Sequence, residues 1–306
     1  MVKRLFSPRD RFRNRCRAAE SFVDFLHRAT AFELLKRLDD ITEALVGITG
    51  VERKDNESPR VAILGAADGH LAHEIAGKFQ NTNVFALENV PNFVKKQSEN
   101  SKFVTVLCSE DGFENPLPFL QKNGQYALIL SHLTLHAAND VLGTLIQIYQ
   151  SLSVAGCFIG VAPGGGTLQE LRGVFLEADI SMQNGASPRI FPMGQIQDWG
   201  LLMQKAGFAF VAVDTNKLTV WYNDPLKLMH DLRYIGEANA LYERTRKITK
   251  RSVFEELCRL YRKQWGRADG KVPASFEMIY FIGWKIDNRH SSYEKISLAL
   301  QGLLSK

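Results

Sequence analysis

The sequence predicts an α/β protein whose parallel sheet is covered by helices on both faces. Runs of residues that are apolar throughout recur at 61–64, 84–87, 103–107, 127–130, 158–161 and 208–213. Such runs indicate strands buried on both faces, and helix-length segments such as 71–79 and 142–152 separate them. This alternation is typical of a doubly wound, Rossmann-like sheet with right-handed crossovers.

The composition is that of a globular domain. The chain has 306 residues, of which 45% are hydrophobic and 23% charged, so it can bury a sizeable core and is not expected to be disordered. No stretch approaches the roughly 18 apolar residues of a membrane helix, so we expect a soluble protein without a membrane span. Four scattered cysteines do not form a disulfide framework or a CxxC site, and they fit a reducing compartment.

The first elements are a basic N-terminal arm, residues 1–20, and a helical lead-in, residues 21–58. Between Lys3 and Arg17 there are seven basic residues and one acid, Asp10. A mitochondrial targeting segment and an arm that binds phosphates or an anionic surface are both compatible with this charge. We expect instead a solvated, partly ordered approach to the first helix, whose apolar spacing runs over 19–46.

Three further regions follow the lead-in. Residues 59–222 contain the alternating strands and read as a Rossmann-like cofactor domain. Residues 223–273 are rich in polar residues, with helical spacing at 226–234 and 252–265, and read as a helical insertion or cap. Residues 274–306 supply a last strand, 276–284, and a C-terminal helix.

The turn after the first strand has the features of a nucleotide site. Gly65, Ala67 and Gly69 lie between the strand and the helix that His70 opens, where backbone N–H groups can approach a ligand. Glu88 ends the next strand, at the spacing from which an acid accepts the two ribose hydroxyls of an adenosine cofactor. The alternatives are a glycine turn that serves packing only and a solvated strand-end acid.

Polar residues also end the third strand. Ser109 and Glu110 are suitably placed to contact an adenine edge. The ordered set of glycine turn, acid and polar strand end favours an adenosine cofactor, and the absence of a three-glycine fingerprint argues against a dinucleotide.

This order of features resembles class I S-adenosylmethionine (SAM)-dependent methyltransferases. Residues 131–140, SHLTLHAAND, are similar to the S-x-L-x-L-H-x-x-N-D segment of one branch. That branch contains the methyltransferase-like assembly factors of respiratory complex I and their bacterial relatives. Further similar segments lie at 164–172, 187–190, 206–208, 228–233, 236–239 and 273–276.

The resemblance implies a seven-stranded class I methyltransferase fold, SAM as the cofactor and Ser131 among its contacts. It also implies a protein substrate, because the eukaryotic member is associated with hydroxylating an arginine on an iron–sulfur subunit of complex I. Two departures from the family pattern predict weakened SAM binding: Ile63 replaces an acid and Ala67 replaces a glycine. One lost charge-assisted hydrogen bond costs about 1.5–3 kcal/mol.

The end of the fourth strand offers the principal catalytic candidate, His136, with Asn139 as a substrate contact. Both lie at the carboxyl edge, where α/β sheets place reacting groups. Asn139 or Asp140 could instead cap the following helix. His132 and His136 have the i, i+4 spacing of metal ligands on a helix, but only His136 matches the family segment and we expect no metal site.

The remaining candidates belong to the end of the cofactor domain and to the insertion. Asp231 and Glu237 are predicted as catalytic acids because an arginine substrate requires carboxylates near the reacting centre. Predicted substrate contacts are Arg172, Tyr222, Arg233 and Asn239. The alternatives are internal ion pairs, Asp231 with Arg233 or Glu237 with Arg244, and a core position for Tyr222.

Three functions remain open at this point. The first is an enzyme-fold assembly factor that binds SAM and acts on a complex I iron–sulfur subunit, by arginine hydroxylation. The second is a SAM-dependent methyltransferase of a small or carrier-bound acid, and the third a degenerate, cofactor-free binding scaffold. We expect a bacterial cytoplasmic protein, with the mitochondrial matrix as the alternative, and no nucleic-acid partner.

Overall fold

A seven-stranded sheet runs through the computed structural model, which describes residues 4–42, 45, 58–98, 102–109, 117–122, 125–183, 185–286 and 296–297. The strands are β1 Arg60–Leu64, β2 Asn83–Glu88, β3 Val104–Leu107, β4 Tyr126–His132, β5 Leu152–Pro163, β6 Ala209–Tyr222 and β7 Val272–Trp284. Their order is β3-β2-β1-β4-β5-β7-β6, and the pairs β1–β2, β1–β4, β2–β3 and β4–β5 are parallel. The predicted seven-stranded α/β class is confirmed.

The helices follow the strands as the alternating pattern predicts. They are α1 Pro8–Glu20, α2 Phe25–Asp40, α3 His70–Lys78, α4 Pro91–Ser98, α5 Leu117–Lys122, α6 Val141–Ser151, α7 Gln169–Gln183, α8 Ile196–Lys205, α9 Pro225–Ile235 and α10 Arg251–Trp265. Helices α3, α6, α9 and α10 agree with the segments expected from the sequence to within one residue at each end. The expected C-terminal helix lies largely outside the described residues.

The chain divides into two compact units. Unit 1 comprises Met1–Val23, Pro163–Gln195 and Thr215–Met278, and unit 2 comprises Asp24–Ala162, Ile196–Asp214 and Ile279–Lys306. The basic arm and the helical insertion, which the sequence treats as separate regions, therefore belong to the same unit. Three of the boundaries between the units fall inside strands: before the last residue of β5, within β6 and within β7.

The core of unit 2 is built on the parallel strands. Every residue of β4 is buried, as are Val61–Leu64 of β1, which explains why these runs contain no polar alternation. Trp199 of α8 stacks on Phe281 of β7 with 4.3 Å between ring centroids. Gly160 of β5 leaves the space that this phenylalanine ring occupies, because a Cβ there would overlap it.

Unit 1 contains an unexpected helix. Helix α1 forms over residues 8–20, which their basic charge predicts to be a solvated and only partly ordered approach to the first helix. Pro8 begins the helix, and the Ser7 side chain accepts a hydrogen bond from Asp10 N at 3.3 Å. Ala18 and Ala19 are fully buried, and Arg11 pairs with Glu237. The inward side of α1 thus carries few apolar residues, which is why apolar spacing does not predict it.

Candidate functional site

The turn between β1 and α3 adopts a conformation that demands glycine at two positions. Gly65 has φ +79° and Gly69, the N-cap residue of α3, has φ +87°. A Cβ at Gly65 would overlap Cγ2 of Thr134 and lie 2.7 Å from the carbonyl oxygen of His132. Ala67 also has positive φ, +46°, where a glycine would carry no steric cost. The turn therefore holds the backbone of residues 65, 67 and 69 in conformations that favour glycine.

The Glu88 side chain stabilises this turn by a hydrogen bond to its backbone. Its side chain is fully buried, and its Oε2 accepts a hydrogen bond from Ala67 N at 2.8 Å. Its Oε1 accepts from Asn89 N at 2.8 Å and from Val90 N at 3.2 Å. Ile63 is a fully buried apolar residue, so the carboxylate that contacts the loop is that of Glu88. Both carboxylate oxygens therefore accept from backbone N–H groups.

Two further hydrogen-bond acceptors near this turn belong to residues outside the segments that resemble the family. Gln97, on α4, is 1% exposed, and its Nε2 donates to the carbonyl oxygen of Ala67 at 2.5 Å. Asn89 is 5% exposed. Neither Gln97 Oε1 nor Asn89 Oδ1 has a hydrogen-bond partner among the residues that the structure describes. Buried acceptors are normally paired, so both atoms fit a ligand that brings hydroxyl or amine donors.

The third strand ends beside Glu88. Cys108 N donates to the carbonyl oxygen of Glu88 at 2.8 Å, which places the ends of β2 and β3 together. Burial, and secondarily the charge of Glu88, raises the pKa of the Cys108 thiol to about 12. Ser109 is exposed at this end, whereas Glu110 lies outside the described residues.

Hydrogen bonds from side chains of the same segment stabilise the end of β4 and the beginning of α6. Ser131 is fully buried and its Oγ lies 2.8 Å from Oγ1 of Thr134. Asp140, rather than Asn139, caps α6: its Oδ1 accepts from Gly143 N at 2.8 Å. Asn139 is half-buried just before this cap.

The two histidines of this segment do not share a helix face. His132 is the last residue of β4, and its Nε2 lies 2.8 Å from Oγ1 of Thr30 on α2. His136 lies in a short 3-10 turn, Leu135–Ala137, and is 9% exposed. No group of three or more metal-binding side chains is found in the described parts of the chain.

The candidates of unit 1 have intramolecular partners. Arg172 donates from NH1 to Gly165 O at 3.1 Å and from NH2 to Thr167 O at 3.2 Å, so it closes the glycine-rich loop before α7. Tyr222 is 4% exposed, and burial, followed by the neighbouring Asp231, raises its pKa. The predicted core alternative for Tyr222 agrees with this burial.

The acids and the amide of the insertion are also engaged. Glu237 accepts from Arg11 at 3.2 and 3.4 Å, and Arg244 pairs with Asp10 at 3.0 Å. Asp231 lies 3.9 Å from Lys227. Asn239 donates from Nδ2 to Pro188 O at 2.8 Å and accepts from Leu241 N. Arg233 is exposed.

The structure thus divides the predicted site residues between the units. In unit 2 it brings together Gly65, Ala67, Gly69 and Glu88 at one turn, and it places Ser131, His136 and Asn139 at and after the end of the adjacent strand β4. Arg172, Tyr222, Asp231, Arg233, Glu237 and Asn239 belong to unit 1.

Unit 2 also has a cavity of about 210 Å³ that contains none of the predicted site residues. Arg37 lies at its wall, with its guanidinium 3.8 Å from the ring centroid of Tyr280. The same guanidinium bonds Asp214 at 2.8–3.2 Å and Glu33 at 2.7 Å. Its charge is therefore already neutralised, and the cavity offers mainly apolar surface.

No family model matches the chain. Among curated proteins it is similar to the zebrafish (Danio rerio) "Arginine-hydroxylase NDUFAF5, mitochondrial", 38% identical over 172 residues that cover 56% of this chain and 53% of that protein. The human protein of the same name is 35% identical over 232 residues, 74% of this chain and 64% of that protein. The chain thus spans between about half and two thirds of the length of these relatives.

A methyltransferase is also among the relatives. The malonyl-[acyl-carrier protein] O-methyltransferase of Halorhodospira halophila is 25% identical over 265 residues, 86% of this chain and 82% of that protein. A solved structure from Bacillus halodurans, provisionally assigned as a methyltransferase, superposes with a TM-score of 0.50 at 13% identity over 81% of this chain and 100% of that one. The chain has the Rossmann-like fold of class I methyltransferases and is a relative of the NDUFAF5 proteins. No helix in the described residues combines the length and apolarity that crossing a bilayer requires.

Proposed function

We propose that unit 2 binds S-adenosylmethionine at the turn formed by residues 65–69. The N–H groups of Gly65, Ala66, Ala67 and Gly69 donate within the protein, so the support comes from the glycine conformations of the turn, which let a ligand approach the backbone closely. Bound SAM would supply an activated methyl group on a sulfonium sulfur. In this proposal Glu88 orders the turn and its carboxylate also accepts hydrogen bonds from the ribose hydroxyls. Asn89 Oδ1 and Gln97 Oε1 accept hydrogen bonds from hydroxyl or amine groups of the ligand.

We further propose that the protein acts in the assembly of respiratory complex I by hydroxylating an arginine of an iron–sulfur subunit. The observation that carries this proposal is the 35% identity over 232 residues to the human arginine hydroxylase. Such a reaction adds one oxygen atom to the arginine and requires an external oxidant. The bacterial cytoplasm is the proposed location, with the mitochondrial matrix as the alternative.

The insertion contains the acids proposed to face the arginine substrate. Glu237 is paired with Arg11 through two hydrogen bonds, so its carboxylate has a structural partner. Asp231 lies 3.9 Å from the exposed Lys227 and also neighbours the hydroxyl of Tyr222, whose pKa it helps to raise. Because the ion pair with Lys227 is long, we propose Asp231 as the carboxylate of unit 1 that binds the substrate guanidinium. For unit 2, taken by itself, we propose His136 and Asn139 as substrate-facing groups.

Thermal unfolding with and without SAM or S-adenosylhomocysteine tests the cofactor site. Ligand at a hundred times its dissociation constant should stabilise the fold by about 2.7 kcal/mol. In Asn89→Leu the ligand affinity should fall about tenfold, because a hydrogen bond is lost from a buried acceptor.

Gln147→Leu is the matched control, since Oε1 of Gln147 on α6 is likewise buried without a partner in the described structure. Its ligand affinity should equal that of the unmodified chain. Absence of any shift at millimolar ligand would contradict the proposed cofactor and favour the cofactor-free scaffold.

Mass spectrometry of the iron–sulfur subunit, co-expressed with this protein, tests the reaction. A mass gain of one oxygen atom on an arginine is expected, and Asp231→Asn should abolish it.

A gain of one methylene group on a carrier-bound acid would instead support the second function, a methyltransferase. The likeness to the malonyl-[acyl-carrier protein] O-methyltransferase, which covers 82% of that protein, favours this second candidate.

A further inference from the structure

Helix α7 of unit 1 carries apolar residues on two opposite sides. On its inward side, Leu171, Val174 and Ala178 are fully buried in the core. On its outward side, Leu176 is 51% exposed and Ile180 is 56% exposed. Since the outward side of a surface helix is normally polar, this arrangement indicates a second packing surface on α7.

The exposed apolar residues of α7 belong to a narrow stripe. This outer stripe consists of four exposed residues, Gln169, Gly173, Leu176 and Ile180. Their spacing of four, three and four residues is that of the a and d positions of a coiled coil, which lie along one side of a helix. None of the four residues is charged. A second helix can therefore pack along the outer stripe without burying an ion.

Gly173 leaves an open space in the outer stripe. A Cβ added there would meet no described atom within 4 Å beyond the backbone of its own helix, so packing within the chain does not require glycine at this position. Glycine is among the least favourable residues in a helix interior, because it loses the most conformational freedom on folding. A neighbour that packs on the outside of α7 would occupy the space that the missing side chain leaves.

The outer stripe also contains the side chain that fits this space. Ile180 lies seven residues, or two helical turns, after Gly173, and Leu176 lies between them. If two copies of α7 pack antiparallel about a two-fold axis near Leu176, position 173 of each helix lies opposite position 180 of the other. In such an isologous interface every contact occurs twice, so each isoleucine fills the space beside the glycine of the other copy. This self-complementarity favours a second copy of the chain as the partner.

We propose that the outer stripe of α7 is the centre of a symmetric dimer of this chain, in which Ile180 of each copy packs over Gly173 of the other. The two helices of 15 residues form a contact smaller than a standard interface, so the expected dissociation constant is on the order of 10–100 µM. The proposal is independent of the proposed function, because it uses none of the predicted site residues.

Sedimentation velocity of the full chain at increasing concentration tests this proposal. Gly173→Ile places isoleucine against isoleucine, and Ile180→Gly places one open space against another, so each should weaken dimerisation on the order of tenfold. The exchange variant Gly173→Ile/Ile180→Gly recreates the complementary pair with its positions reversed. Its dissociation constant should return to within about threefold of that of the unmodified chain, because the effects of contacting residues are not additive.

Gly77→Ile is the matched control. Gly77 is likewise an exposed helix glycine, and a Cβ added there would meet nothing within 4 Å. Its exposed neighbours one turn earlier, His73 and Glu74, are polar, so the control should leave dimerisation unchanged. Circular dichroism checks that every variant keeps the helix content of the unmodified chain.

Three results would overturn the proposal. A chain that stays monomeric at every concentration would leave the outer stripe to a helix of another protein. Dimerisation that survives both single substitutions would place the interface elsewhere. An exchange variant that dimerises no better than the weaker single variant would show that Ile180 does not pack over Gly173.

Discussion

Ala67 is held in a strained backbone conformation by two side chains from distant parts of unit 2. Its N–H donates to Glu88 on β2, and its carbonyl oxygen accepts from Gln97 on α4. A left-handed conformation costs a non-glycine residue about 1–2 kcal/mol, so these two bonds offset a local penalty. The turn is thereby fixed by contacts within the protein itself.

Replacing Gly65 should test how firmly the turn is fixed. In Gly65→Ala the new Cβ meets Thr134 and the backbone of His132, and φ is +79°. The free energy of unfolding should fall by about 2–4 kcal/mol, from left-handed strain and overpacking together. Urea denaturation measures this change.

Gly77→Ala is the matched control for the same chemical change. Gly77 lies in α3, and a Cβ added there would meet no atom within 4 Å, so alanine should stabilise the helix by about 0.5–1 kcal/mol. Destabilisation of similar size in both variants would contradict this account of the turn.

Individual site residues can be predicted only where their position relative to a predicted strand or helix indicates their role. The glycines and Glu88 follow from a strand–turn–helix pattern followed by a strand-end acid. Asn89 and Gln97 do not, because their roles depend on which oxygen is left unpaired after folding. The only sequence signals for them are their positions, immediately after a strand-end acid and within the following helix.

Helix α6 begins at Asp140, whose side chain caps the helix in a segment that the sequence also predicts to contact the substrate. Asp140→Ala should remove the hydrogen bond to Gly143 N and lower the free energy of unfolding by about 1 kcal/mol. Asp140→Ser should keep most of that stability. Denaturant titration measures both variants, and ligand-induced shifts in the melting temperature should be unaltered in either. A large loss of ligand affinity in Asp140→Ser would show instead that the carboxylate contacts the ligand.

Two elements show where apolar patterns stop being informative. The apolar run at 208–213 predicts only the first part of strand β6, which continues to Tyr222 through a segment in which most side chains are exposed. An exposed strand needs no apolar run, so hydropathy does not predict its length. Helix α1 escapes prediction for a related reason, since ion pairs formed by Asp10 and Arg11 hold part of its inward side.

Across the whole molecule, burial keeps several weak acids protonated. The pKa of the Tyr126 hydroxyl is raised from its ordinary 10.0 to about 12, chiefly by burial. Burial likewise raises the pKa values of Cys108, Cys157, Cys258, Tyr222, Tyr261 and Tyr280. Between the ordinary and the raised values the unfolded chain binds fewer protons than the folded chain. Stability must therefore fall as the pH rises through this window.

Tyr126→Phe should reduce this alkaline decline. Each such group contributes about 1.4 kcal/mol per pH unit above its unfolded pKa. The Tyr126 hydroxyl is buried without a partner in the described structure, so phenylalanine should cost little at pH near 8. Denaturant titrations from neutral to alkaline pH measure the slope. Tyr242→Phe, at a residue that is 42% exposed, should leave it unchanged. Identical slopes in all three proteins would contradict the prediction.

The composition of unit 1 from three chain segments has a consequence during synthesis. The Arg11–Glu237 pair joins residues that are 226 positions apart. At ribosomal rates of about 5–20 residues per second, α1 emerges roughly 10–45 s before its partner exists. During that interval the nascent chain carries an unpaired basic helix, which makes it accessible to any acidic surface near the exit tunnel. Folding of unit 1 is thus a late event, completed only as the last third of the chain appears.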